Sequence, residues 1–161
     1  MAVRALSSED VDVYRSIRLE ALQSDPGAFG STYEHELAYD EDTWVRRMSG
    51  FGGNPGQVFV AENHGGPVGM VGIAAGDDAA VLWGMWVREA ARGSGIGREL
   101  LHATIDWAGT AGASSIVLQV AKGNDGAQQL YKRFGFEVIG QAPMRPDDPC
   151  SLATMMQLEL R

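Results

Sequence analysis

The residues best suited to chemistry lie in one run, Met85-Trp86-Val87-Arg88-Glu89-Ala90-Ala91-Arg92-Gly93-Ser94-Gly95-Ile96-Gly97-Arg98, an apolar strand passing through a glycine-rich turn into a helix. Glycines lack a Cβ, so consecutive backbone N–H groups can face one point, and the open N–H groups and positive end of a helix add to the pull on an anion. A pyrophosphate is the natural guest. Two familiar phosphate sites fail on spacing. A Walker loop needs Gly-Lys-Ser/Thr, whereas Gly97 is followed by Arg98 and Glu99. The dinucleotide fingerprint needs glycine where Arg98 stands and an acid about 20 residues on, where Ile116, Val117 and Leu118 are apolar. Binding of ATP or NAD at this loop is therefore disfavoured. A tight structural turn is the plainer alternative for the same glycines.

Other chemistries find little support. His35, His64 and His102 share no metal-ligand spacing, and Cys150 is the only cysteine, so neither a metal site nor a disulfide is expected. No histidine stands near Cys150 to activate it as a nucleophile. A single thiol fits a reducing, cytoplasmic setting. The 13 basic and 21 acidic residues give a formal charge of −8, a field that repels polyanions, so nucleic acid is not an expected partner. The N-terminus lacks the apolar stretch of a secretory leader, and no run approaches the roughly 18 apolar residues of a membrane span.

The elements that must position the glycine-rich turn follow from periodicity. The 161 residues suit a single domain, 1–161, with one sizeable core. A strand at 2–6 leads to a helix capped at Ser7 or Ser8 and stopped by Asp25-Pro26-Gly27. Residues 28–39 are undecided, Asp40 heads a short helix to Ser49, and 49–56 reads as a glycine-rich loop, a lid or simply a mobile surface segment. Three strands joined by polar turns follow at 58–61, 68–74 and 81–87. Strict alternation along the third puts Trp83 and Met85 on one face, opposed by Gly84 and Trp86. A helix at 96–112, a fully apolar strand at 115–120, a helix capped by Asn124 and ending at Gly135, and strands at 136–141 and 152–160 complete the chain, with 147–150 turning into the last.

Arg92-Gly93-Ser94-Gly95-Ile96-Gly97 resembles the Arg/Gln-x-x-Gly-x-Gly/Ala signature of the GNAT family of N-acetyltransferases, and it follows an apolar strand as it does there. Asn124 and the run Ala127 to Phe136 are similar to the second family motif. Upstream, Arg18-Leu19-Glu20-Ala21-Leu22 and Ala28-Phe29-Gly30-Ser31-Thr32 resemble a common subset of the family. The resemblance covers nearly the whole chain. It implies an α/β GNAT fold: a central, mostly antiparallel seven-stranded mixed sheet, flanked by about four helices, whose parallel fourth and fifth strands splay to hold acetyl-CoA.

By position, the resemblance places the pantetheine chain against Met85, Trp86 and Val87 and the diphosphate on the amides of Arg92, Gly93, Ser94, Gly95, Ile96, Gly97 and Arg98, with charge from Arg92 and Arg98 and a further contact from Asn124. Arg88, Lys122 and Lys132 read as solvated charges. The implied reaction is direct attack by a primary amine, with Tyr131 near the cofactor sulfur as donor to the departing thiolate. Relatives often use a glutamate on the fourth strand as base, but 79–87 holds no carboxylate or histidine. Glu34, in the segment that borders the acceptor site in this family, is one substitute, and deprotonation through water is another. Tyr33 and Trp83 are candidate acceptor contacts. The acceptor is a small-molecule amine or a protein amino group, and the acidic chain favours cationic ones such as polyamines, aminoglycosides or lysine side chains. Relatives are often homodimers. The missing strand-borne base also leaves open a non-catalytic acyl-CoA-binding regulatory module of the same fold.

Overall fold

A computed structural model describes residues 1–51, 53–145 and 147–160. Seven strands carry the architecture: β1 Ala2–Ala5, β2 Asn54–Asn63, β3 Gly66–Ala74, β4 Ala79–Val87, β5 Ser115–Ala121, β6 Glu137–Arg145 and β7 Asp148–Glu159. They form a sheet in the order β1-β2-β3-β4-β5-β7-β6, and a two-residue strand, Gly50–Phe51, pairs with the start of β2. Every pair is antiparallel except β4 with β5. The described residues form five α-helices: α1 Val11–Ser24, α2 Tyr33–Leu37, α3 Glu41–Ser49, α4 Ile96–Thr110 and α5 Asp125–Arg133. None of the described helices is long and apolar enough to cross a membrane.

The fifth helix, α2, falls in the undecided stretch. Thr32 caps it by accepting from the His35 amide at 3.2 Å, and five residues are too few for a periodic pattern to show. The expected loop at 49–56 is largely paired strand, with Gly52 outside the described residues. Gly50 makes this tight hairpin possible, because a Cβ there would fall 1.9 Å from the Asn54 carbonyl oxygen. The turn into β7 is shorter than expected, since that strand begins at Asp148.

The middle of the sheet is covered on both faces, while β6 at its edge is largely exposed. On one face, α4 turns Leu100, Leu101, Thr104 and Ala108 onto Ile73, Leu82, Ile116 and Leu118, a stripe at helical spacing. On the other, Tyr14, Ile17 and Leu22 of α1 and Trp44 of α3 cover Val58, Val60 and Met70. Truncating a fully buried leucine such as Leu100 to alanine costs about 2–5 kcal/mol.

One local irregularity shapes the molecule's working end. Gly84 has φ +66°, and the pairing with β3 slips around it: Met70 faces Trp86 while Gly72 faces Trp83. Two steps on β3 therefore match three on β4, which is a β-bulge. The extra residue inverts the side-chain alternation. Trp83 packs with the α1–α3 face and Met85 with the α4 face, which corrects the expectation that they share one. Past the bulge the neighbouring strands are apart. β4 and β5 pair only over Ala79–Val81 and Ser115–Val117, while β4 stays bonded to β3 as far as Val87 and β5 to β7 along its whole length.

Candidate active site

The gap between β4 and β5 opens into a cleft of about 1370 Å³. Met85, Trp86 and Val87 line it from β4, Gly93 and Gly95 to Arg98 from the turn and α4, and Asn124, Ala127, Leu130 and Phe134 from the far side. At its head stands the uncapped start of α4. Gly95 is the N-cap with φ +89° and offers no side chain, and the first amide to close a helical bond is Glu99, onto the Gly95 carbonyl at 3.1 Å. The amides ahead of it remain available to an outside acceptor. A Cβ on Gly93 or Gly95 would meet nothing, so both positions need glycine for their positive φ rather than for space. Gly97 is the reverse case: a Cβ there would press Leu130 Cδ2 at 3.2 Å, so its absence lets α5 approach.

The charges along the cleft are divided. Arg98, Lys122 and Arg133 line it, Arg98 lying 5.9 Å from the centroid of the Phe134 ring. Arg92 is tied down. Its Nη2 donates to Asp25 at 2.8 Å and its Nε to the Val87 carbonyl at 2.7 Å, so it braces the turn and its charge is already matched. Asp25 also accepts from Trp86 Nε1 at 2.7 Å, which stitches the α1–α2 loop across the cleft edge. Arg88 forks onto Glu20 at 2.7 and 2.8 Å. The Ser94 hydroxyl donates to the Ala91 carbonyl at 2.6 Å and does not line the cleft. Asn124 lines it while capping α5, its side chain accepting from the Ala127 amide at 3.4 Å.

Tyr131 is buried, edge-on to Phe136 at 5.6 Å, and lies outside the cleft lining although its neighbour Leu130 is part of it. Burial pushes its phenol well above the ordinary value, so the group stays neutral and able to donate. Glu34 is exposed on α2. Tyr33 and Trp83 are half-buried against the α1–α3 face, apart from the residues that line the cleft.

The inward carboxylate of α2 is Glu36 instead. It accepts from Arg18 Nε and Nη2, both at 2.9 Å, and Arg47 Nη2 lies 3.9 Å away. Burial alone would raise its pKa, but the Arg18 fork and charge override burial and hold it below the ordinary carboxylate value. The periodicity of α1 carried a sign of this pair. Arg18 falls four residues after Tyr14 and four before Leu22, on the buried stripe, where an arginine requires an acidic partner.

Comparison with known proteins agrees with the geometry. Residues 17–136 match the sequence pattern of the Acetyltransferase (GNAT) family. An L-methionine sulfoximine/L-methionine sulfone acetyltransferase of Pseudomonas paraeruginosa is 39% identical over 59 residues, 37% of this chain and 34% of that protein. An uncharacterized N-acetyltransferase of Methanocaldococcus jannaschii is 35% identical over 142 residues, 84% of this chain and 60% of that one. The chain thus spans about a third and about three fifths of the lengths of these relatives. Among solved structures, yncA of Salmonella typhimurium, a putative acetyltransferase with its cofactor acetyl-CoA, shares the fold with a TM-score of 0.76 at 24% identity, over 100% of this chain and 94% of that one. With the family pattern covering most of its length and a parallel strand pair splayed beside an uncapped helix, the chain belongs to the GNAT family of acetyltransferases.

Proposed function

We propose that the protein transfers the acetyl group of acetyl-CoA to a primary amine by direct attack. The parting of β4 and β5 beside the open amides of α4 carries this reading, because it offers an extended groove that ends in an anion-binding turn. The residues fit that ligand. Met85 and Val87 lie on β4 beyond its last pair with β5, which leaves that strand edge available to a pantetheine chain. The amides from Gly93 to Arg98 suit a diphosphate, and Arg98, Lys122 and Arg133 supply positive charge on the rim of an otherwise acidic protein. When bound, acetyl-CoA supplies an activated acetyl thioester and a thiol leaving group.

The chain's own residues handle the protons. Tyr131, held neutral by burial, is the hydroxyl on α5 proposed to donate to the leaving sulfur. Glu36 is a poor base because Arg18 stabilises its ionised form. Glu34, exposed on the same helix, can take the amine's proton through water. The net charge of −8 attracts the ammonium form of an acceptor over distance. Release of free thiol from acetyl-CoA across a panel of primary amines tests the reading. Turnover with at least one amine is expected, whereas acetyl-CoA binding without thiol release on any of them would identify an acyl-CoA-binding module instead.

A further inference from the structure

The face of β4 turned toward α1–α3 holds a buried charged cluster that the reaction above does not use. Arg18 is 4% exposed and is fixed to Glu36 through Nε and Nη2. Its third nitrogen, Nη1, is buried without a hydrogen-bond partner among the described residues. That nitrogen sits at the β4 bulge, since a Cβ on Gly84 would lie 3.2 Å from it. A desolvated guanidinium N–H with nothing to donate to is costly, and native structures seldom leave one without a reason.

The surroundings indicate what is missing. Side-chain exposure is 0% for Glu36, 5% for Arg18 and 25% for Arg47, so Arg47, 3.9 Å from Glu36, is the member of this cluster most open to solvent. The Trp83 ring lies 5.9 Å from the Arg18 guanidinium and 5.7 Å from that of Arg47, and Tyr39 lies 5.4 Å from Arg47. Trp83 is seated over Gly72, where a Cβ would fall 2.1 Å from the indole, so this wall is fixed. Glu36 is already engaged by the fork, and the Tyr14 hydroxyl, buried in the same cluster with its ring 6.1 Å from Trp83, likewise has no hydrogen-bond partner among the described residues, so an oxyanion entering on the side of Arg47 would give this face the acceptor it lacks.

We propose that Arg18 Nη1, with Arg47 toward solvent, binds an oxyanion of the acceptor, so that the acceptor is an amine that also carries a carboxylate or a comparable anionic oxygen group. This rests on the acetyl-transfer reading and deepens it. A guanidinium presents its nitrogens in a fixed plane that suits carboxylate oxygens. With Glu36 ionised between them, Arg18 and Arg47 leave this cluster net positive, which disfavours purely cationic acceptors there although the protein as a whole is acidic. The same charge lowers the pKa of an amine held beside it, which favours the neutral nucleophile where β4 supplies no base.

The experiment compares amino acids with their decarboxylated counterparts as acceptors for the full chain: leucine with 3-methylbutylamine, phenylalanine with 2-phenylethylamine, and methionine with 3-(methylthio)propylamine. The expected result is kcat/KM at least about tenfold higher for the carboxylate member of a pair, the scale of one hydrogen bond to a charged group. Arg18→Lys, which keeps the charge but loses the fork, should erase most of that preference by raising KM for the carboxylate member alone. Arg18→Gln with Glu36→Gln, which removes both buried charges together, should erase it too if the lysine variant fails to fold. Calorimetric titration of the CoA complex with N-acetylleucine gives a readout independent of turnover, with binding in the wild type and none in the variants. Equal or better use of the decarboxylated amines, or absence of N-acetylleucine binding, overturns the subsite. Titration with acetyl-CoA alone separates the two readings: failure there overturns acetyl transfer and the subsite with it, whereas success there with the carboxylate preference missing overturns the subsite only.

Discussion

The two sides of β4 present different groups. Toward α4 they are backbone amides left open beside glycines with positive φ at 93 and 95. Toward α1 they are side chains, with a buried fork between Arg18 and Glu36 and aromatic rings around it. Gly84 belongs to both, because its bulge lies on the stretch of β4 beyond the last pair with β5 and receives Arg18 on the other side. Amides suit a group common to many ligands, such as a phosphate, and their geometry is set by glycine spacing. Side chains suit what distinguishes one acceptor from another, and they can come from any element the fold brings near.

The largest expected effect sets the sides apart by stability. Arg18→Ala leaves Glu36 ionised, buried and without its fork, and should destabilise the fold by about 3–5 kcal/mol, read as a lower denaturant midpoint. Replacing the pair together, Arg18→Met with Glu36→Leu, should cost much less, since no buried charge is left bare. If the two variants unfold alike, the fork is not the central tie of that face. On the other side, Tyr131→Phe should lower kcat about 100-fold with little change in acetyl-CoA affinity, the low end for loss of a general acid. Wild-type turnover in that variant would remove the role. Gly95→Ala should cost about 1–2 kcal/mol, because an alanine there must hold a left-handed conformation, and it should weaken acetyl-CoA binding in the same titration.

These contrasts explain what could be read from residue order alone. The turn and the start of α4 are legible because phosphate binding by amides demands glycine at fixed intervals after an apolar strand, whereas the parallel pair follows only from the family resemblance. Asn124 was legible as a cap for the same local reason. Strict alternation opposes Gly84 to Trp83 and Met85, but a lone glycine inside an apolar strand is itself a sign of a bulge, and the bulge here sends those two side chains to opposite faces. Glu34 drew the base assignment that geometry gives no special support. The buried acid is two residues on, and only the packing of α2 against Arg18 distinguishes them. Arg92 lines the cleft, and its tie to Asp25 joins residues 67 apart, beyond the reach of local pattern.

Two smaller effects refine the comparison. An unfolded glutamate takes its proton near pH 4.5, whereas Glu36, beside Arg18, takes its own only at lower pH. Between those values the unfolded state binds more protons, so the contribution of the pair is complete above pH 4.5 and is lost as pH falls through the native value. Denaturant titrations across that range should show a shallower loss in the Arg18→Gln with Glu36→Gln variant than in the wild type. Asp25→Asn removes an exposed ion pair from the cleft edge and should change stability by no more than about 1 kcal/mol. A larger loss would mean that Asp25 holds the α1–α2 loop as firmly as the buried fork holds α2.

The central claim, that open amides at the head of α4 receive the diphosphate of acetyl-CoA, is best tested by amide resonances. In a titration of the isotope-labelled protein with acetyl-CoA, the amides of Gly93, Gly95, Ile96, Gly97 and Arg98 should shift most, together with those of Met85 and Val87. Saturation that leaves this turn unmoved, or shifts concentrated on other strands, would contradict it.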